Sequence, residues 1–165
     1  MSLRHALLVA TMAGLATLAP QVGLAGDTTQ RGTWIGPAAL TEQYSGKTWR
    51  WKDGAGYFRP DSSFLAWSGV GEDRAVGGGQ WWVGTRGRIC FAAKWYLAGK
   101  ESAAQSCFLT VQAPTKIRQR NVASGSRWYV LAHDPVQPGD EINQLVVGDE
   151  VTPTFTDTEK RMIFK

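Results

Sequence analysis

The chain has 165 residues, 43% of them hydrophobic, with 18 Lys+Arg against 14 Asp+Glu and eight Trp. That length suits one domain, the apolar fraction excludes wholesale disorder, and 19% charged residues excludes a charge-driven tail protein. The 19 Gly follow no three-residue period, so a collagen-like rod is excluded as well.

Met1 to His5 is a short basic start carrying Arg4, and Ala6 to Leu18 runs without a charge. Pro20 and Gln21 interrupt it, and Gly23-Leu24-Ala25 offers small residues where a signal peptidase reads them. Residues 1–25 therefore read as a cleaved secretory signal peptide. The stretch is too short and too rich in Ala, Gly and Thr to span ~30 Å of hydrocarbon as an anchor. Cleavage leaves 17 cations and 14 anions, a net +3, in a periplasmic or secreted protein with no transmembrane anchor. Residues 26–36 read as a flexible segment, 37–152 as a single β domain and 153–165 as a C-terminal tail.

Pro37 to Gly46 predicts a short helix: Pro suits the first turn, Leu40 and Tyr44 share a face, and Gly46 suits the end. The period then switches to two. Strands are expected at 47–52, 55–59, 63–68, 80–83, 89–97, 107–112, 116–121 and 127–133. Gly69 to Gly79, with five Gly and the pair Glu72-Asp73, reads as a loop. Asp140 is placed to cap a second short helix, Glu141 to Val147, that Gly148 ends. Strands this close together cannot be joined by crossover helices, so the sheet is antiparallel. The fold class is mainly all-β: an antiparallel meander forming a small barrel or sandwich, with a short helix towards each terminus.

Cys90 and Cys107 are the only cysteines, and an even count in an exported chain favours a disulfide. Opposite residues of a hairpin have a constant index sum, and this pair centres a turn on Ala98-Gly99 if Lys100 to Gln105 belongs to the second strand. If 98–105 is a wide loop, the two cysteines lie at far ends of the hairpin. Register leaves both arrangements open.

Several strings stand in a set order. They are Leu40-Thr41 through Ser45-Gly46-Lys47-Thr48-Trp49, then Tyr57-Phe58-Arg59-Pro60-Asp61 with Phe64 and Trp67. Gly79-Gln80-Trp81-Trp82-Val83, Gly87-Arg88-Ile89-Cys90-Phe91, Trp95 and Cys107-Phe108 follow, then Trp128-Tyr129-Val130, Asp140-Glu141 and Gly148-Asp149. The ordered series, over about residues 38–152, resembles a family of small exported proteobacterial proteins, domain of unknown function 995. The resemblance implies an exported domain and carries over no active-site assignment. Ser62 departs from it where Gly is expected, which alters only a turn.

Catalytic signatures are weak. Gly46-Lys47-Thr48 lacks the upstream Gly of a phosphate loop and leads into a strand. Gly77-Gly78-Gly79 lacks the strand-to-helix context that aims N–H groups at a phosphate. His133 is the only His after the leader, and beside Asp134 it reads as a solvated pair rather than part of a triad. The acids Glu72, Asp73, Asp140, Glu141, Asp149 and Glu150 fall in loops and helix ends, where capping and solubility explain them. No His/Cys/Asp grouping has metal-ligand spacing, so no catalytic residue, metal or cofactor is assigned. Gly32-Thr33-Trp34 resembles the opening of lipocalin-like barrels, in which the Trp plugs the closed end, and keeps a ligand-carrying barrel among the alternatives.

Trp49, Trp51, Trp81, Trp95 and Trp128 are expected in the core. Adjacent Trp81 and Trp82 must point opposite ways, so Trp82 is the aromatic contact candidate, with Trp67 behind it. Charge is segregated: residues 26–83 balance, 84–131 carry eight cations against Glu101 alone, and 132–165 carry three against seven anions. Lys116, Arg118 and Arg120 alternate, so one strand face holds all three, and with Arg86 they form the candidate anion-binding set. The expected role is non-enzymatic binding or envelope association. Its partner would be an anionic envelope component or another envelope protein, not nucleic acid. An interaction or inhibitor domain using the exposed Trp is a further alternative.

Overall fold

A computed structural model of the chain describes residues 32–122 and 126–163. The signal-peptide assignment and residues 26–31 of the expected flexible segment lie outside the described residues. Ten strands and two α-helices follow in order: β1 Thr33–Trp34, α1 Pro37–Tyr44, β2 Lys47–Trp51, β3 Gly54–Phe58, β4 Ser63–Ser68 and β5 Ala75–Val83. Then come β6 Arg88–Leu97, β7 Lys100–Ala113, β8 Lys116–Asn121, β9 Tyr129–His133, β10 Leu145–Val147 and α2 Thr152–Ile163.

The strands form one antiparallel sheet in the order β10-β2-β3-β4-β5-β6-β7-β8-β9. Five of the eight neighbouring pairs, β2–β3, β3–β4, β5–β6, β6–β7 and β7–β8, are joined by turns of two to four residues, as expected for an antiparallel meander. The sheet curls into a half-barrel whose edges are β9 and β10. A 3-10 helix, Glu141–Gln144, bridges those edges and packs against β9, β2 and β10. β1 pairs with β7 at Thr33↔Gln112 and Trp34↔Val111, beyond the point where β6 stops accompanying β7.

Alternation assigns the two faces. Trp49 of β2, Phe58 of β3, Phe64 and Ala66 of β4, Trp81 of β5, and Ile89 and Ala93 of β6 point inward and form the core with Leu40 and Tyr44 of α1. Pro37 opens α1 and Gly46, at φ +72°, follows its end, as the sequence predicts. The rings of Phe58, Phe64, Trp81 and Phe91 meet one another at 4.7–5.7 Å between centroids. Edge and offset contacts of this kind add to the burial of the rings.

Four expectations change. Residues 75–79 are strand rather than loop. Gly77 faces Trp95 across β5–β6, and a Cβ there would stand 2.8 Å from the indole. A ring lying flat on the sheet thus overrides the low strand propensity of glycine. Glu141 to Val147 is not an α-helix but the 3-10 helix followed by β10, because Leu145 and Val146 pair with Trp49 and Thr48. Residues 153–163 of the expected tail belong to α2, which packs against β4 and β5. Within the segment read as flexible, Thr33–Trp34 is a strand.

The β6–β7 register settles the cysteine question. Cys90 and Cys107 are direct partners, the turn is Ala98-Gly99, and the two are disulfide-bonded.

Candidate functional site

Hairpin connections alternate between the two ends of the sheet. Those after β2, β4 and β6 lie at one end, and those after β3, β5 and β7 at the other. Inside the half-barrel, towards the β2–β3, β4–β5 and β6–β7 connections, lies a cavity of about 850 Å³. It falls within the size range of small-molecule sites.

Its lining follows the inward parity. Trp49, Trp51, Phe58, Phe91, Trp95 and Phe108 supply aromatic walls, while Ala75, Ser68, Ser102, Ala104 and Ser106 keep the floor low. Small residues recur where rings lie down: a Cβ at Gly56 would stand 2.6 Å from Phe64 and 3.1 Å from the Trp51 ring. β8 pairs with β7 only from Phe108 onward, so Lys100 to Ser106 forms an edge that leaves this flank open. From Lys100 to Phe108 the strand advances about 27 Å, so the site is an elongated trough.

The opposite end is filled. Tyr44 of α1 and Gln119 of β8 are fully buried. Gln119 Nε2 donates to Tyr44 Oη at 2.8 Å and Thr110 Oγ1 at 3.1 Å, and Tyr129 donates its hydroxyl to Gln119 Oε1. Burial pushes the Tyr44 phenol up to about 12, and burial likewise raises that of Tyr129, so both stay protonated, Tyr44 as the acceptor and Tyr129 as the donor.

Two acids shape the seam between the sheet edges. Asp140 accepts from the backbone N–H of Gln137 at 2.7 Å and of His133 at 2.8 Å, and its other oxygen meets His133 Nδ1 at 2.6 Å. These bonds, the backbone ones foremost, hold its carboxyl down to about 2. His133 therefore pairs with Asp140 and not with Asp134. Glu141, the next residue, lines the trough and accepts from Trp49 Nε1 at 3.2 Å.

The basic residues occupy the outer face. Lys116, Arg118 and Arg120 stand opposite Ala113, Val111 and Leu109 of β7, on one face as the alternation predicts. Arg118 and Arg120 stack over Trp128, at 5.8 and 5.3 Å from the ring centroid. Trp128 is thus an outer-face residue, not part of the inner core. Trp34 meets it at 6.4 Å and is 43% exposed, so it does not plug the barrel as a lipocalin-type opening would require. Arg86 sits in the β5–β6 turn at φ +56°, exposed and off these rows. Arg88, which sequence reasoning missed, lies opposite Leu109 and so in line with Arg120. Trp82 is outside and 41% exposed, as expected, opposite Cys90. Trp67 is half-buried under the Arg74 guanidinium at 4.9 Å.

Among the described residues, no group of three or more His, Cys, Asp or Glu could hold a metal ion, and no helix is long and apolar enough to cross a membrane.

The chain belongs to the family described as "Protein of unknown function (DUF995)", whose model matches residues 7–151. No curated protein and no solved structure matches it.

Proposed function

With that family as the starting point, we propose that the domain is an exported, non-enzymatic binding protein whose site is the aromatic trough of the half-barrel. The observation that carries this is the 850 Å³ cavity itself: an aromatic, open-ended space kept clear by small residues on the facing strands. A protein core of this composition would ordinarily collapse on such a void, because empty apolar volume costs stability. An elongated apolar ligand would occupy it with rings on both sides. The leader and the Cys90–Cys107 bond support a periplasmic or secreted location. The test is native mass spectrometry of the mature protein purified from its own envelope. A bound mass that organic solvent extracts is expected; protein that always emerges free of any small molecule contradicts the proposal.

The outer face supports a second reading, as a site for anionic envelope components. Among the described residues, Arg120 Nε and Trp128 Nε1 are both buried without a hydrogen-bond partner, so the stack holds two donors unused there. Replacing Lys116, Arg118 and Arg120 together with Glu should abolish binding to anionic vesicles. Retained binding would remove this reading.

A further inference from the structure

Within the trough, the polar groups are not evenly placed. At the mouth stand Lys100 and Glu101, and Glu101 pairs at 3.1 Å with Lys94 of the outer face, so charge there is mixed and solvated. At the inner end the only ionisable lining group is Glu141. Among the described residues it makes no ion pair; its one hydrogen bond comes from the Trp49 indole. The seam holds it there: Asp140, fastened to β9 through His133, fixes the residue before it, and Trp49 of β2 meets its carboxylate. Around this end stand Trp49, Phe91 and Phe108, with Trp49 and Phe108 at 5.2 Å and Phe91 and Phe108 at 6.2 Å between centroids.

A carboxylate without a counter-ion, facing apolar space beside three aromatic rings, presents negative potential from both its charge and the ring quadrupoles. We infer that the trough selects ligands carrying a cationic nitrogen, an amine or quaternary ammonium on an elongated apolar body, with Glu141 as the counter-charge. This rests on the trough being the binding site. A cation at the inner end gains Coulomb attraction and contact with π faces together. An anionic head there would meet like charge, and a neutral head would gain neither.

The experiment compares three probes of equal chain length below their micelle concentrations: decyltrimethylammonium, decyl glucoside and decyl sulfate. Each is titrated into the mature protein by calorimetry and by quenching of Trp fluorescence. The cation should bind about tenfold more tightly than the glucoside, and the sulfate more weakly than either. Glu141→Gln, which keeps an acceptor for the Trp49 indole, should cancel the cation's advantage and leave the glucoside unchanged. Glu42→Gln, exposed on α1 at the packed end and outside the trough lining, should preserve the advantage, and the wild-type comparison holds as a test even if the Glu141 variant does not fold. Equal binding of all three in the wild type overturns the inference while leaving the trough proposal standing. Loss of the advantage in Glu42→Gln, or its survival in Glu141→Gln, also overturns it. Failure of every probe to bind removes both.

Discussion

At the scale of single residues, the most constrained polar group is Asp140. Its carboxylate ties three donors on β9 and the following turn, so it sets where the seam closes and where Glu141 stands. Its carboxyl sits at about 2 in the folded protein against about 3.9 in an unfolded chain. A lowered folded value means a stabilising contribution that is present above pH 4 and lost as pH falls through about 2. Asp140→Asn should lower the midpoint of urea unfolding at pH 7. Between pH 4 and 2 the variant should lose less stability than the wild type does. Equal midpoints at pH 7 would show that Asp140 is not a seam clamp. This residue was misread from sequence for a plain reason. An Asp before a short apolar run reads as an N-cap, and nothing local shows that its partners are His133 and Gln137. Ser62 is the converse: the resemblance expects Gly there, and Ser62 adopts φ +69°, the left-handed region that glycine occupies without strain.

Among elements, the β6–β7 hairpin decides most. It is the longest ladder, running from Arg88↔Leu109 to Leu97↔Lys100, and its inner faces supply Phe91, Trp95 and the trough floor. The disulfide crosses its outer face with both cysteines buried, 17 residues apart in sequence. Replacing both with Ala should cost about 3 kcal/mol by loop-closure entropy, measured by denaturant unfolding. Native protein should take up no alkyl groups without reductant; two additions per chain would contradict the bond. Strand positions were legible because alternating Trp, Phe and Ile mark the inward parity across β2, β4 and β6. The extent of β5 was not, since Gly77, Gly78 and Gly79 read as loop until Trp95 is laid across them. β10 was missed because three residues carry no period, and only pairing with β2 makes them a strand. The basic row on β8 was legible from spacing alone. Its stacking on Trp128, and the alignment of Arg88 with it, depend on neighbours far away in sequence.

For the molecule as a whole, the segregated charge of the chain becomes a spatial division. Four cations of the middle segment, Arg88, Lys116, Arg118 and Arg120, share the outer face around β7 and β8, while the acids of the C-terminal part reach the seam and Arg50, which pairs with Glu150. The inside of the half-barrel is divided as well, packed by α1 and the Gln119 network at one end and hollow at the other. That hollow could not be read from sequence, because a Trp facing inward fills a core or walls a cavity with the same periodicity. What separates the two is the small residue opposite each ring, and that requires register.

The most direct measurement is titration of the mature protein with N-phenyl-1-naphthylamine, a neutral apolar fluorophore, alongside Ala104→Trp. Ala104 stands exposed on the trough floor, so a Trp there fills the space without entering the packed core. Saturable one-to-one enhancement in the wild type, weakened at least about tenfold in the variant, is expected if the trough is the site. No saturable enhancement, or equal affinity in the two proteins, would contradict it.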